Sequence, residues 1–314
     1  MPLHPFVQKM MDAARDAGRP PLSGGSPQQA RALVASGRDA LGPGPEVGAV
    51  SSITVPTRSG SVGARLYRSK NPEHGLLVYF HGGGWVCGTL DDYDILARNL
   101  VRYSDCALLL VDYRLAPEFA FPAGLEDAED AIVWAARESE GLLGKRLPLA
   151  VGGDSAGANL ATGALNLLRG KIDCALQLLF YPVTDCNTER ASYLSYAEGL
   201  PLTRQDMQWF FGHYAPKELW ADPRISAVHH PQLAGSPPAW IATAEYDVLR
   251  DEGEDYAQAL QAAGVAVHLR RVDGMAHGFA RLPNLLSDPV SGVLEEAGKA
   301  VQLHCDAHRS SPAS

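Results

Sequence analysis

The sequence predicts an α/β protein built as one domain over residues 1–314, with a mostly parallel, twisted sheet of about eight strands flanked by helices. Three observations carry that prediction. From residue 75 onward, short continuous apolar runs alternate with stretches of helical period, the pattern of a parallel sheet covered on both faces. The composition, 46% hydrophobic and 20% charged, is that of an ordinary globular chain and excludes intrinsic disorder as the main state. The longest apolar runs, such as Ala107 to Val111, fall far short of a membrane span.

In chain order, an amphipathic stretch from Pro5 to Ala17 and a second helical piece near Gln28 to Ser36 are separated by Gly/Pro/Ser-rich turns. A strand pair follows, Ile53 to Val55 and Gly63 to Tyr67, with Ser59-Gly60 as the turn signal between them. Six apolar runs then supply the remaining strands: Leu76 to Phe80, Ala107 to Val111, Leu147 to Val151, Ala175 to Tyr181, Ala239 to Ala244 and Val265 to Leu269. Helical patterns at Tyr93 to Tyr103, Leu125 to Glu138, Ala158 to Leu168 and Glu254 to Ala263 lie between them. Residues 185–236 contain no strand pattern and gather aromatics, so they are expected to form a helical insertion. Pro289 to Cys305 is expected to be the last helix, with 306–314 a frayed tail.

Charge and cysteine usage narrow the function. Twenty-seven basic against 36 acidic residues give a net charge of −9, which argues against nucleic-acid binding and against a polybasic membrane surface. The five cysteines are widely spaced and include no CxxC pair, so they read as buried thiols of a reducing, cytoplasmic compartment. The N-terminus carries Lys9, Asp12 and Arg15 and has no apolar core of signal-peptide type. Neither His229-His230 nor His304 and His308 have acidic or cysteine partners at ligand spacing, so no metal site is expected.

Ligands of open α/β sheets bind beyond the carboxyl ends of the strands, so the residues just after each apolar run are the first to inspect. After Leu147 to Val151 comes Gly152-Gly153-Asp154-Ser155-Ala156-Gly157, then a helical pattern. Gly-x-Ser-x-Gly between a strand and a helix is a nucleophile elbow, in which a sharp turn exposes the serine hydroxyl and a flanking β-carbon would clash. The bland alternative is a glycine-rich turn with an idle serine. After Leu76 to Phe80 comes His81-Gly82-Gly83-Gly84-Trp85, whose glycines can turn backbone N–H groups toward an oxyanion. A phosphate cradle would need a Gly-Lys-Ser/Thr ending or Gly-x-Gly-x-x-Gly, and neither is present. His81 sits before the loop and is expected to brace it rather than act as a base. Asp247 follows the Ala239 to Ala244 strand and His277 follows the last strand, giving the order serine, acid, histidine. Asp251 and Glu252 are the rival carboxylates, but they fall at a helix start where acidic residues are common; Asp247 is favoured on position.

Taken together these residues resemble the hormone-sensitive-lipase-like esterases, bacterial family IV of the α/β-hydrolase fold, in the subgroup with a Gly-Asp-Ser-Ala-Gly elbow. The match runs through His81-Gly82-Gly83-Gly84-Trp85, Asp112 to Glu118, Gly153 to Gly157, Asp247 to Gly253 and His277-Gly278-Phe279, from about residue 75 to 280. The resemblance implies Ser155 as nucleophile, His277 as general base and acid, and Asp247 as the orienting carboxylate. It also implies an oxyanion hole of the Gly83, Gly84 and Ala156 amides, a cap made by about 1–45 and 185–216, and a homodimer through the last strand near Val265 to Arg270. Val248 stands where the family commonly has proline, and Ala158 where it commonly has glycine. Arg114 and Glu118 are expected to brace their loop.

The expected reaction is hydrolysis of short- to medium-chain carboxylic esters through an acyl-enzyme, with no metal or cofactor and a small-molecule ester as the only partner. Trp85, Trp209, Phe210 and Phe211 could form an apolar lid over the serine or simply pack. An amidase or formamidase would use the same triad. A non-catalytic receptor on this fold would be expected to lose the serine or the histidine, and both are present.

Overall fold

The structure, a computed structural model, describes residues 2–310. The N-terminal segment forms α1 (Pro5–Asp16), α2 (Pro27–Ser36) and the single turn α3 (Arg38–Leu41). Pro27 opens α2 behind a capping box, in which the Ser26 hydroxyl accepts from the Gln29 N–H and the Gln29 side chain accepts from the Ser26 N–H. Two antiparallel strands follow, β1 (Ala49–Thr57) and β2 (Gly60–Arg68), paired from Ala49–Arg68 to Thr57–Gly60.

Strands and helices then alternate: β3 (Leu76–Phe80), α4 (Asp94–Ser104), β4 (Ala107–Asp112), α5 (Ala123–Leu143), β5 (Leu149–Asp154), α6 (Ala156–Leu167) and β6 (Leu176–Phe180). The insertion carries α7 (Ala191–Ser195) and α8 (Arg204–Tyr214), and the chain ends β7 (Ala239–Tyr246), α9 (Arg250–Ala262), β8 (Val267–Ala276) and α10 (Ser287–Ser310). The sheet has eight strands in the order β1-β2-β4-β3-β5-β6-β7-β8, antiparallel in the first two pairings and parallel from β4 to β8.

Strand period sorts the side chains into two cores. Leu76, Val78 and Phe80 of β3, with Leu109 and Val111 of β4, face α5, α6 and α9. Leu77 and Tyr79, with Leu108 and Leu110, face α4 and α10. Each inner strand is therefore apolar on both sides, which is why it reads as a continuous run.

Two boundaries differ from expectation. β8 runs ten residues to Ala276 rather than stopping near Leu269, so His277 follows the strand directly. Its middle is exposed and polar on one edge (His268, Arg270, Arg271), which hid the strand from an apolar-run criterion. The last helix continues through residues 306–310, anchored by the Asp306 carboxylate, which accepts from Arg309 at 3.0 Å and bonds His74 at 2.8 Å. The rest of the expected tail, 311–314, lies outside the described residues.

The chain leaves β3 toward β4 on one side and returns to β5 on the other. The carboxyl ends of β3 and β5 thus flank a switch point, where an open sheet leaves a crevice.

Candidate active site

At the end of β5 the chain passes from strand to helix in one residue. Ser155 has φ +54° and ψ −121°, a conformation unfavourable for a residue with a side chain. Neighbouring bonds impose it: the Ser155 N–H donates to the Phe180 carbonyl on β6 at 2.9 Å, and the Ser155 carbonyl accepts from the Asn159 N–H at 3.1 Å. The flanking glycines are required by contact. A β-carbon on Gly157 would overlap the Phe80 carbonyl of β3, and one on Gly153 would overlap the backbone of Gly157. Ala156 is the first residue of α6, so its N–H is one of the helix's unsatisfied donors beside the serine.

His277 and Asp247 converge on this serine from neighbouring strands. Asp247 follows β7 directly and is buried; its Oδ1 accepts the Leu249 N–H at 3.0 Å. Its Oδ2 lies 2.7 Å from His277 Nδ1. A carboxylate can only accept, so Nδ1 carries the proton and Nε2 is left bare. Nε2 lies 3.0 Å from the Ser155 Oγ and accepts its hydroxyl proton. The Tyr181 ring packs beside the imidazole at 4.6 Å. The rival carboxylates are engaged elsewhere. Asp251 accepts from the Ser192 N–H at 2.7 Å, and Glu252 accepts from the Thr184 and Asp185 N–H groups at 2.9 and 3.2 Å. Glu252 is fully buried, and burial pushes its carboxyl well above the usual range.

The glycine loop after β3 faces the serine across the switch point. Gly83 and Gly84 take φ +114° and +60°, and a β-carbon on Gly84 would run into the Phe210 ring. His81 is fully buried and donates from Nδ1 to the Gly82 carbonyl at 2.8 Å, while its ring stacks on Tyr113 at 4.5 Å. Burial lowers its pKa to about 4, and it makes no hydrogen bond to Ser155; it braces the loop. The elbow's Asp154 joins the same brace, accepting on Oδ1 from the Gly82 N–H at 3.0 Å and the Tyr79 hydroxyl at 3.3 Å. Burial pushes Asp154 up to about 6 against the pull of the Arg281 charge and the Gly82 N–H.

A cavity of about 170 Å³ holds Ser155, His277, Gly83 and Gly84. Leu22 and Val34 from the N-terminal segment close one side of it, and Pro201, Leu202, Met207 and Phe210 from the insertion close another. Of the four aromatics singled out in the sequence, Phe210 alone lines this cavity. Trp85 stacks on Tyr214 at 4.2 Å and Phe211 packs on Trp220 at 5.4 Å, both as buried core, while Trp209 lies edge-on to His213. Arg114 and Glu118 brace loops: Arg114 holds the buried Asp127 through both carboxylate oxygens, and Glu118 accepts from Arg31 of α2 at 2.9 Å. Sequence reasoning missed Arg281 and Tyr181, which lack any motif and reach the site only through the fold.

These features define an α/β hydrolase, and the sequence profile of the alpha/beta hydrolase fold matches residues 77–281. The chain belongs to the hormone-sensitive-lipase-like branch of that family. It is 42% identical to the carboxylic ester hydrolase LipN of Mycobacterium tuberculosis over 81% of this chain and 70% of that one. It is 35% identical to the ethyl acetate hydrolase of Pseudomonas putida over 94% and 96%. Among solved structures, a thermostable esterase from Pseudomonas putida ECU1011 superposes with a TM-score of 0.91 at 34% identity, covering 97% of this chain and 98% of that one. A hyperthermophilic esterase from Pyrobaculum calidifontis gives 0.91 at 32%, covering 96% and 99%.

Proposed function

We propose that this protein is a carboxylesterase that hydrolyses short- to medium-chain acyl esters through Ser155, His277 and Asp247. The observation that carries the reading is the unbroken relay of Ser155 Oγ, His277 and Asp247, at 3.0 and 2.7 Å, inside one cavity. As Ser155 Oγ attacks the ester carbonyl, His277 Nε2 takes its proton and Asp247 stabilises the imidazolium. The Gly83, Gly84 and Ala156 amides receive the developing oxyanion; one such donor is worth roughly 3 kcal/mol of barrier. Collapse expels the alcohol, protonated by His277, and leaves an acyl-enzyme. Water, deprotonated by His277, then releases the acid.

The N-terminal segment and the insertion act as a cap, a reading supported by their residues on the cavity wall. The cavity's volume, about 170 Å³, favours short and medium acyl chains. A homodimer through β8 and a cytoplasmic location complete the proposal; five buried, unpaired cysteines support the latter.

Initial rates on p-nitrophenyl esters from acetyl to palmitoyl, with Ser155→Ala beside wild type, test the function. The expected result is a maximum between butyrate and octanoate that falls by roughly 10⁴-fold or more in Ser155→Ala. Inactive wild type, or a variant that keeps its rate, overturns the reading.

A further inference from the structure

One guanidinium on the wall of the Ser155 cavity has no part in the steps above. Arg281 ends the 3₁₀ turn Phe279–Arg281, just past His277, and lines the cavity together with Ser155, Gly83 and Met207. Its Nη2 donates to the Asp92 backbone carbonyl at 3.2 Å, and its Cζ lies 4.6 Å from the centre of the Tyr93 ring. Its Nε is shut away from solvent with no hydrogen-bond partner. Among the described residues no carboxylate lies within 4.0 Å of this guanidinium. By contrast, Arg31, Arg68, Arg114 and Arg190 each hold a carboxylate.

The acidic side chains nearby are committed elsewhere. Asp92 accepts from Arg38 at 3.0 Å and from the Thr89 hydroxyl at 2.8 Å. Asp154 turns Oδ1 to Gly82 and Tyr79. A guanidinium stays charged at every accessible pH, and removing its water without a bonded anion is costly. At a cavity wall, a ligand can supply that anion.

We infer that Arg281 selects substrates carrying a free carboxylate a few bonds from the ester carbonyl, the half-esters of short dicarboxylic acids. The planar fork of an arginine matches a carboxylate in two parallel hydrogen bonds, so recognition would orient the ester as well as attract it. The ester carbonyl would then sit at Ser155 with the distal carboxylate against Arg281, a short span that suits a small cavity. This inference rests on the ester-hydrolase reading above and deepens it by naming a substrate class.

The test compares monoethyl glutarate with ethyl valerate, a neutral ester of similar length, by proton release at pH 7.5. The quantity read is the ratio of the two kcat/KM values in wild type, Arg281→Gln and Arg281→Lys. Arg281→Gln is expected to lower the ratio roughly 10- to 100-fold, mainly through KM for the half-ester, with partial recovery in Arg281→Lys. A guanidinium that only props up Tyr93 and Asp154 would slow both esters alike, and an unchanged ratio overturns the inference.

Should Arg281→Gln not fold, inhibition of the wild-type enzyme decides. Glutarate should compete at least about tenfold more tightly than valerate, and added salt should erode that advantage; equal inhibition overturns the inference. Wild type that cleaves ethyl valerate but ignores the half-ester overturns the substrate class and leaves the esterase standing. Failure on both esters, with Ser155 unlabelled by a fluorophosphonate, overturns both readings.

Discussion

At the scale of single residues, the site works by restricting what each group can do. Asp247 accepts on both oxygens, from His277 Nδ1 and from the Leu249 N–H, so it fixes the imidazole tautomer by having no proton to give. Asp247→Asn keeps the Oδ1 acceptor but presents an N–H to Nδ1, which reverses the tautomer and turns a protonated Nε2 toward Ser155. The expected outcome is a fall in kcat of about 10⁴-fold with an unchanged unfolding midpoint, checked by steady-state kinetics beside thermal denaturation. His81 makes the opposite demand, since it must stay neutral where it is buried. Its pKa is lowered to about 4, so the unfolded chain takes up a proton near pH 6.5 that the folded chain refuses. The stability this site provides is present above pH 6.5 and is lost as the pH falls toward 4. Between pH 7 and 4.5 the loss amounts to about 2.5 kcal/mol. His81→Asn, whose amide can still donate to the Gly82 carbonyl, should lose that much less over the same interval in urea unfolding. These residues were legible in the sequence because each follows a strand in a glycine-marked turn. Arg281 was not, because its role depends on the absence of a nearby carboxylate, which only the folded neighbourhood reveals.

At the scale of elements, the elbow shows how contact rather than propensity fixes a glycine. Gly157 lies within helix α6 with ordinary helical backbone, yet its α-carbon presses on the end of β3. Gly170 is the converse, with φ +71° and nothing within 4 Å of an added β-carbon. Gly157→Ala is expected to cost roughly 3 kcal/mol or more and to push β3, and with it the glycine loop, away from Ser155. Gly170→Ala should cost only about 1 kcal/mol of backbone strain. Melting temperatures and fluorophosphonate labelling of Ser155 would separate the two. Equal shifts would show that the β3–α6 contact is not what the glycine serves. The helices and inner strands were legible because their apolar periods are strong and uninterrupted. Their ends were less so: α6 starts two residues earlier than its pattern, at the elbow itself, and α10 runs five residues beyond Cys305. Those turns are set by tertiary bonds, such as that of Asp306 to His74, between residues 232 apart in sequence.

At the scale of the whole molecule, the sheet has two edges, and they are not equivalent. β1 ends one side and carries Pro56, which cannot donate to a further strand. β8 ends the other side, with ten residues, no proline and Leu269 exposed between charged neighbours. The parallel run from β4 to β8 was legible from apolar runs that alternate with helices. The fate of its far edge was not, because an edge strand is polar on the side that a partner would cover. If two copies join through β8, the contact is isologous and a single change acts twice across the two-fold axis. Leu269→Asp then places two unpaired charges where a second strand would add, and should raise the dimer dissociation constant by at least about tenfold, since 1.4 kcal/mol already suffices for that factor. Sedimentation velocity on wild type and Leu269→Asp across a range of micromolar concentrations reads this directly. A wild-type dimer that dissociates in the variant, with ester hydrolysis retained by the monomer, locates the interface at β8 and separates assembly from catalysis. A wild-type monomer, or a dimer indifferent to Leu269→Asp, removes β8 as the interface and leaves its exposed edge to be kept apart by the charges of Arg270 and Arg271.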